Sequence, residues 1–175
     1  GKRHGERGLW ITMSETEREL QQSARSHGWD LAGIEILNLL LPQELLRSED
    51  DYSFFSPADV ELNETTRQIL SVVDRIRPSR IVFDPFSDIR HLARDTLRYR
   101  RQILALRAFF LDRGCTVLLM QETTHGSPGD VQAEALTHGY LTLQQESPEY
   151  GGQRRRLRVH KMRGIRFRDG FHDFA

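Results

Sequence analysis

The 175-residue chain has one cysteine, two lysines and no net charge: 25 basic residues face 25 acidic ones. Each scarcity excludes something. With Cys115 alone no internal disulfide can form, which favours a reducing compartment and a cytoplasmic location. No apolar run approaches the length of a membrane-spanning helix, and the N-terminus has no signal-peptide pattern. Whole-chain charge therefore calls for no membrane or polyanionic partner. None of the seven histidines has metal-ligand spacing with another histidine or with Cys115, which argues against zinc. His125-Gly126-Ser127 lacks the glycine pattern of a nucleophile elbow. Asn63-Glu64-Thr65 matches a glycosylation sequon by chance in a chain with this cysteine usage.

The charge that is present is unevenly spread. Residues 44–64 hold Glu44, Glu49, Asp50, Asp51, Asp59, Glu61 and Glu64 against Arg47 alone. Residues 153–168 hold seven arginines and Lys161 with no acid. One acidic and one basic surface suit self-association or a polyanionic ligand.

The central stretch is Ser79-Arg80-Ile81-Val82-Phe83-Asp84, a short apolar strand that Pro85 stops. Such a strand reads as buried on both faces in the middle of a parallel sheet, with its acid opening onto the crevice where α/β sheets place ligands. The plainer alternative is an aspartate that caps the next helix. Gly8–Met13 reads as an earlier buried strand. Ser14 and Glu17 form a capping box for a helix running to about His27, stopped by Gly28. Ile34–Leu41 begins as a strand and ends at Pro42, and residues 42–59 form a surface excursion. Helical spacing runs from Val60 to Ile76, closed by Pro78, and from Thr96 to Asp112, closed by Gly114, with a short helical piece at Ile89–Ala93. Cys115–Met120 is another apolar strand, His125–Asp130 a loop. Gly139–Gln145, Arg154–Lys161 and Phe171–Phe174 are three tail strands. The alternation predicts an α/β fold: a mostly parallel sheet flanked by helices, with an antiparallel β-rich C-terminal edge.

Polar groups follow three of the apolar strands: Glu15 after the first, Asp84 on the central one, Gln121 after the third. In a parallel sheet these ends share one edge. An aspartate there can hold a hydrated Mg²⁺ through its waters. A glutamate can take a proton from an attacking water, and a glutamine can orient that water or sense a phosphate. The alternatives are a helix first-turn acid for Glu15 and a loop residue for Gln121. Lys161, in a chain that otherwise uses arginine, reads as a site wanting a compact point charge, or else as an incidental lysine on an exposed strand. Arg154, Arg156 and Arg158 could touch nucleic-acid phosphates, although no stacking aromatic alternates with them in sequence.

The chain resembles the KaiC-type branch of the RecA superfamily of ring-forming ATPases. The resemblance is carried by Leu9-Trp10-Ile11-Thr12-Met13-Ser14-Glu15-Thr16, Ser23-Ala24-Arg25-Ser26-His27-Gly28-Trp29-Asp30-Leu31, Ile81-Val82-Phe83-Asp84 and Lys161-Met162-Arg163-Gly164. It implies a RecA-like domain over residues 1–175 that works with ATP and Mg²⁺ bound between neighbouring protomers of a ring or filament. By resemblance, Glu15 matches the catalytic glutamate and Asp84 the Mg²⁺-supporting aspartate. Lys161 and Arg163 match the basic pair that reaches a neighbour's γ-phosphate, and Gln121 a polar sensor. The sequence departs at Ser14, where the family often has a second acid, and at Phe167, where some relatives are polar. It also lacks the phosphate loop G-x-x-x-x-G-K-S/T: Gly1-Lys2 is followed by Arg3. The expectation is a fragment whose first strand and loop lie upstream, or a degenerate relative, with little activity of its own. Two other readings stand beside it: a non-catalytic module pairing its acidic and basic segments between copies, and a nucleic-acid-binding module using the arginine strand.

Overall fold

The apolar runs Gly8–Thr12 (β1), Ile34–Asn38 (β2), Arg80–Asp84 (β3) and Thr116–Leu119 (β4) pair side by side, all parallel, in the order β2-β1-β3-β4. They belong to a computed structural model that describes residues 4–39, 57–93, 95–122 and 131–174. Helices Glu17–Ser26 (α1), Pro57–Ile76 (α2), Ser87–Ala93 (α3) and Thr96–Asp112 (α4) connect the strands. From β1 the chain steps out to β2, then back across β1 to β3. Right-handed crossovers therefore put α1 on one face of the sheet and α2, α3 and α4 on the other. The chain divides into two compact units, Gly1–Gly126 and Ser127–Ala175.

In the first unit the register sets Leu9 beside Ile81 and Ile11 beside Phe83, and all four are buried. Buried with them are Ile69 and Val73 of α2, Ile89 of α3, and Tyr99, Ile103 and Leu106 of α4, spaced as helix stripes require. Phe83 and Phe86 meet edge-on with ring centroids 5.2 Å apart. Each such side chain taken out of water contributes about 1.5–3 kcal/mol. Strand β3 is central, as its composition predicts. The apolar composition of β4 misleads, because β4 lies at the sheet edge and Leu118 is 58% exposed.

Helix α1 starts later than Ser14 predicts. Its N-cap is Thr16, whose hydroxyl accepts from the Glu19 backbone N–H at 3.3 Å, while the Glu19 carboxylate accepts from the Thr16 N–H at 2.8 Å. The cause lies one turn earlier. The Thr12 hydroxyl accepts from the Glu15 N–H at 3.2 Å, which holds residues 12–15 in a turn and delays the helix to the next S/T-x-x-E match. Helix α2 ends before Pro78 as expected, with Arg77 in the left-handed region at φ 51°. Of the excursion expected at 42–59, residues 57–59 already belong to α2, and residues 42–56 and the loop at His125–Asp130 lie outside the described residues.

The second unit holds a short helix, Val131–Leu136 (α5), unpredicted from sequence, and strands Gly139–Glu146 (β5), Arg154–Met162 (β6) and Phe171–Phe174 (β7). The three strands form an antiparallel sheet of their own, ordered β5-β6-β7.

Thr16→Ala should cost about 1 kcal/mol of stability in chemical denaturation, whereas Ser14→Ala should stay within about 0.5 kcal/mol. The reverse order would restore Ser14 as the cap.

Candidate functional site

The rim at the carboxyl ends of the parallel strands collects three adjacent strand ends, because the ladder sets Thr12 opposite both Asn38 and Asp84. Thr12 is almost fully buried, at 1% exposure. Its hydroxyl takes the Glu15 N–H and donates to the Glu15 carbonyl at 3.4 Å. The side-chain amide of Asn38 donates to that same carbonyl at 3.2 Å. Two neighbouring strands thus pin the backbone of Glu15 on the rim, one residue ahead of the α1 cap. Glu15 is not a first-turn helix acid. Thr12 and Asn38, the residues that place it, were not singled out in the sequence; a threonine three residues before the acid is a weak signal.

Asp84 ends β3 one strand over. Partial burial, and secondly the negative charge of Glu122, push its carboxyl above the usual carboxylate range. It does not cap α3, which begins three residues later at Ser87. Gln121 follows β4 on the other side. The Met120 N–H donates to the Phe83 carbonyl at 2.9 Å, and the Phe86 N–H donates to the Met120 carbonyl at 2.7 Å. These bonds carry the β3–β4 pairing past β4 and tie Met120 to the residues on both sides of Asp84. Sequence reasoning gave Glu122 no role, although it follows Gln121 directly. Glu15, Asp84 and Gln121 therefore share one rim, as their positions after parallel strands predict.

Among the described residues, no group of three or more His, Cys, Asp or Glu side chains could hold a metal ion. A half-buried carboxylate repelled by a second acid is a fitting outer partner for hydrated Mg²⁺.

Lys161 and Arg163 lie in the second unit, at the end of β6. The Lys161 ammonium donates to the carbonyls of Glu134 and, at 3.4 Å, Ala135; the Arg163 guanidinium donates to Ala135 at 2.9 Å. Both cations thus sit on the carbonyl end of α5, where backbone oxygens lack helical partners. Desolvation, then the nearby charge of Arg163, lowers the Lys161 pKa, and Glu134 opposes this. On β6, Arg154, Arg156 and Arg158 share one face and pair with Asp173 at 2.6 Å, with Glu146, and with Asp169 at 3.8 Å. Arg156 and Arg158 also lie over the Phe171 ring, at 4.3 and 5.4 Å. The arginine strand is largely neutralised within its own unit.

Two cavities lie away from the rim. One, of about 380 Å³, is at the opposite edge of the parallel sheet, where Arg113 pairs with Asp74 at 2.6 Å and the Cys115 thiol donates to the Pro78 carbonyl at 3.1 Å. Burial raises that thiol's pKa, so it is not an activated nucleophile. The other, of about 410 Å³, lies between α1 and β2 beside Trp29.

The raised carboxyl of Asp84 has a consequence for stability. The unfolded chain ionises this group at lower pH than the folded one, so its penalty is absent in acid and appears as pH rises past the ordinary carboxylate value. Asp84→Asn should therefore unfold at higher temperature than the parent near about pH 7 and match it near about pH 3. Thermal melts at both pH values check the sign.

Comparison with known proteins agrees with this geometry. The crystal structure of a KaiC-like protein from the hyperthermophilic archaeon Pyrococcus horikoshii OT3 superimposes with a TM-score of 0.75 and 22% identity, covering 99% of this chain and 73% of that one. At that identity the likeness establishes the RecA-like α/β fold. No curated protein matches the chain in sequence. The family described as KaiC ATPase matches residues 1–175, the whole chain, and supports an ATPase-type function with nucleotide as ligand. The acid-bearing rim, the parallel sheet behind it and this match agree: the chain belongs to the KaiC ATPase family.

Proposed function

We propose that this chain is the portion of a KaiC-like ATPase that follows the phosphate-binding loop, and that the intact parent hydrolyses ATP at the interfaces of a ring or filament. The carrying observation is that adjacent parallel strands bring Glu15 and Asp84 to one rim. No G-x-x-x-x-G-K-S/T motif occurs in the 175 residues, and in this reading the backbone amides and lysine that grip a triphosphate come from outside them.

In this reading each residue has a separate task. The Glu15 carboxylate accepts a proton from the attacking water, on a backbone held by Thr12 and Asn38. Gln121 orients that water or senses the phosphate. Asp84 supports a hydrated Mg²⁺ through its waters, and Mg²⁺, when bound, neutralises charge on the β- and γ-phosphate oxygens. Lys161 and Arg163 reach the γ-phosphate of a neighbouring subunit, sharing their donors with the α5 carbonyls or releasing them. A reducing, cytoplasmic setting fits the single cysteine.

A coupled ATPase assay tests the reading. The 175-residue chain should show background turnover, and a loop-containing parent should turn over. Glu15→Gln in that parent should lower kcat by about 10²- to 10⁴-fold. Equal turnover by the short chain, or no effect of Glu15→Gln, would overturn it.

A further inference from the structure

Helix α4 has two apolar faces, and the fold uses one of them. Tyr99, Ile103, Leu106 and Phe110 are buried in the core of the first unit. On the opposite side Leu97, Leu104 and Leu111 recur every seven residues and stand 66%, 39% and 50% exposed. We propose that this second face is a docking surface for an acidic amphipathic helix of another protein. The surface lies outside the ATPase reading and does not depend on it.

The pattern is that of a coiled-coil seam. Leu97, Arg101, Leu104, Ala108 and Leu111 follow one another at alternating steps of four and three. On a helix those steps keep them in one narrow stripe, about 21 Å long at 1.5 Å per residue. Arg101 and Ala108 are exposed with the leucines. Single exposed leucines are ordinary on a protein surface, but three in heptad register on one helix are not scattered. Each can enter the hole between four residues of a facing helix. The small exposed side chains of Ala105 and Ala108 leave room for that helix's own knobs.

Charge identifies the occupant. Arg100 and Arg107 line one side of the stripe, Arg98 the other, and Arg101 lies within it, whereas Asp112 is the one acid in the sequence of α4. A facing helix whose leucines are flanked by Asp and Glu complements this face, since charges beside the seam select the partner and its orientation. Arg101 inside the seam restricts the register, as a lone polar residue at a core position does. A second copy of this chain fits poorly. Parallel pairing opposes Arg101 to Arg101, and antiparallel pairing brings Arg100 near Arg107. An anionic lipid surface accepts arginines too, but a helix lying in a membrane surface buries a broad apolar face. This stripe is a narrow seam with no aromatic side chain in it.

A fluorescein-labelled helical peptide of three heptads, with leucine at both core positions and glutamate on both flanks, tests the proposal on the 175-residue chain. Its like charges keep it from pairing with itself. Fluorescence anisotropy should show saturable binding, and the same peptide with lysine on its flanks should not bind. Leu97→Gln and Leu104→Gln should each weaken binding by about tenfold, as for a leucine at the centre of a small interface. Arg101→Glu should do the same. Arg67→Glu makes an equal charge change on an exposed part of α2 and should alter affinity by no more than about twofold. Cooperative thermal unfolding like the parent's shows that each variant is folded. No saturable binding, equal binding of the two peptides, or binding that ignores both leucine variants or Arg101→Glu overturns the proposal. So do two other results obtained without peptide. Sedimentation with phosphatidylserine vesicles that Leu104→Gln abolishes assigns the face to a lipid surface. A dimer in light scattering that Leu104→Gln returns to monomer assigns it to a second copy.

Discussion

The parallel pairing of β1 with β3 is the constraint on which the first unit depends. It sets Leu9 beside Ile81 and Ile11 beside Phe83, and the same ladder ends by setting Thr12 opposite Asp84. Core and rim are therefore one specification. A slip of one residue would turn Ile81 and Phe83 away from the helices and aim Asp84 at the other face. The hydrophobic energy at stake in those side chains, several kcal/mol together, keeps the acids in place with no contribution from the acids themselves.

What the strands place coarsely, side-chain hydrogen bonds place finely. Glu15 lies beyond the last ladder pair, and the Thr12 hydroxyl and Asn38 amide fix its backbone. Because Thr12 is buried, its hydroxyl has to find partners in the protein, and the backbone of Glu15 supplies both a donor and an acceptor. Delay of the helix cap to Thr16 follows from the same contact. A local rule about capping gave way to a nearby buried hydroxyl.

Much of this was legible in the sequence. Apolar runs ended by proline or a polar residue marked the four parallel strands, and the spacing of Ile69, Val73 and Ile76 or of Ile103, Leu106 and Phe110 marked the long helices. Glu15, Asp84 and Gln121 could be placed on one edge because strands joined by helices run parallel. Composition could not tell an edge strand from a central one, so β4 looked as buried as β3. Nor could it show that the tail strands close a separate sheet, since three antiparallel strands have the same pattern in either place. Glu122 was invisible for a different reason: only the crossing bonds of Met120 make it a neighbour of Asp84. Arg154, Arg156 and Arg158 of the tail looked unopposed because their acids, Asp173, Glu146 and Asp169, lie just beyond the basic stretch.

The attachment of Lys161 and Arg163 to α5 links two properties that sequence treats as unrelated. An ammonium has three hydrogens, and two of them point at consecutive carbonyls of α5, leaving one direction open. Whatever draws these cations away removes donors from the carbonyl end of a six-residue helix. Whatever melts that helix frees two positive charges. By reciprocity the two events trade against each other at equal cost.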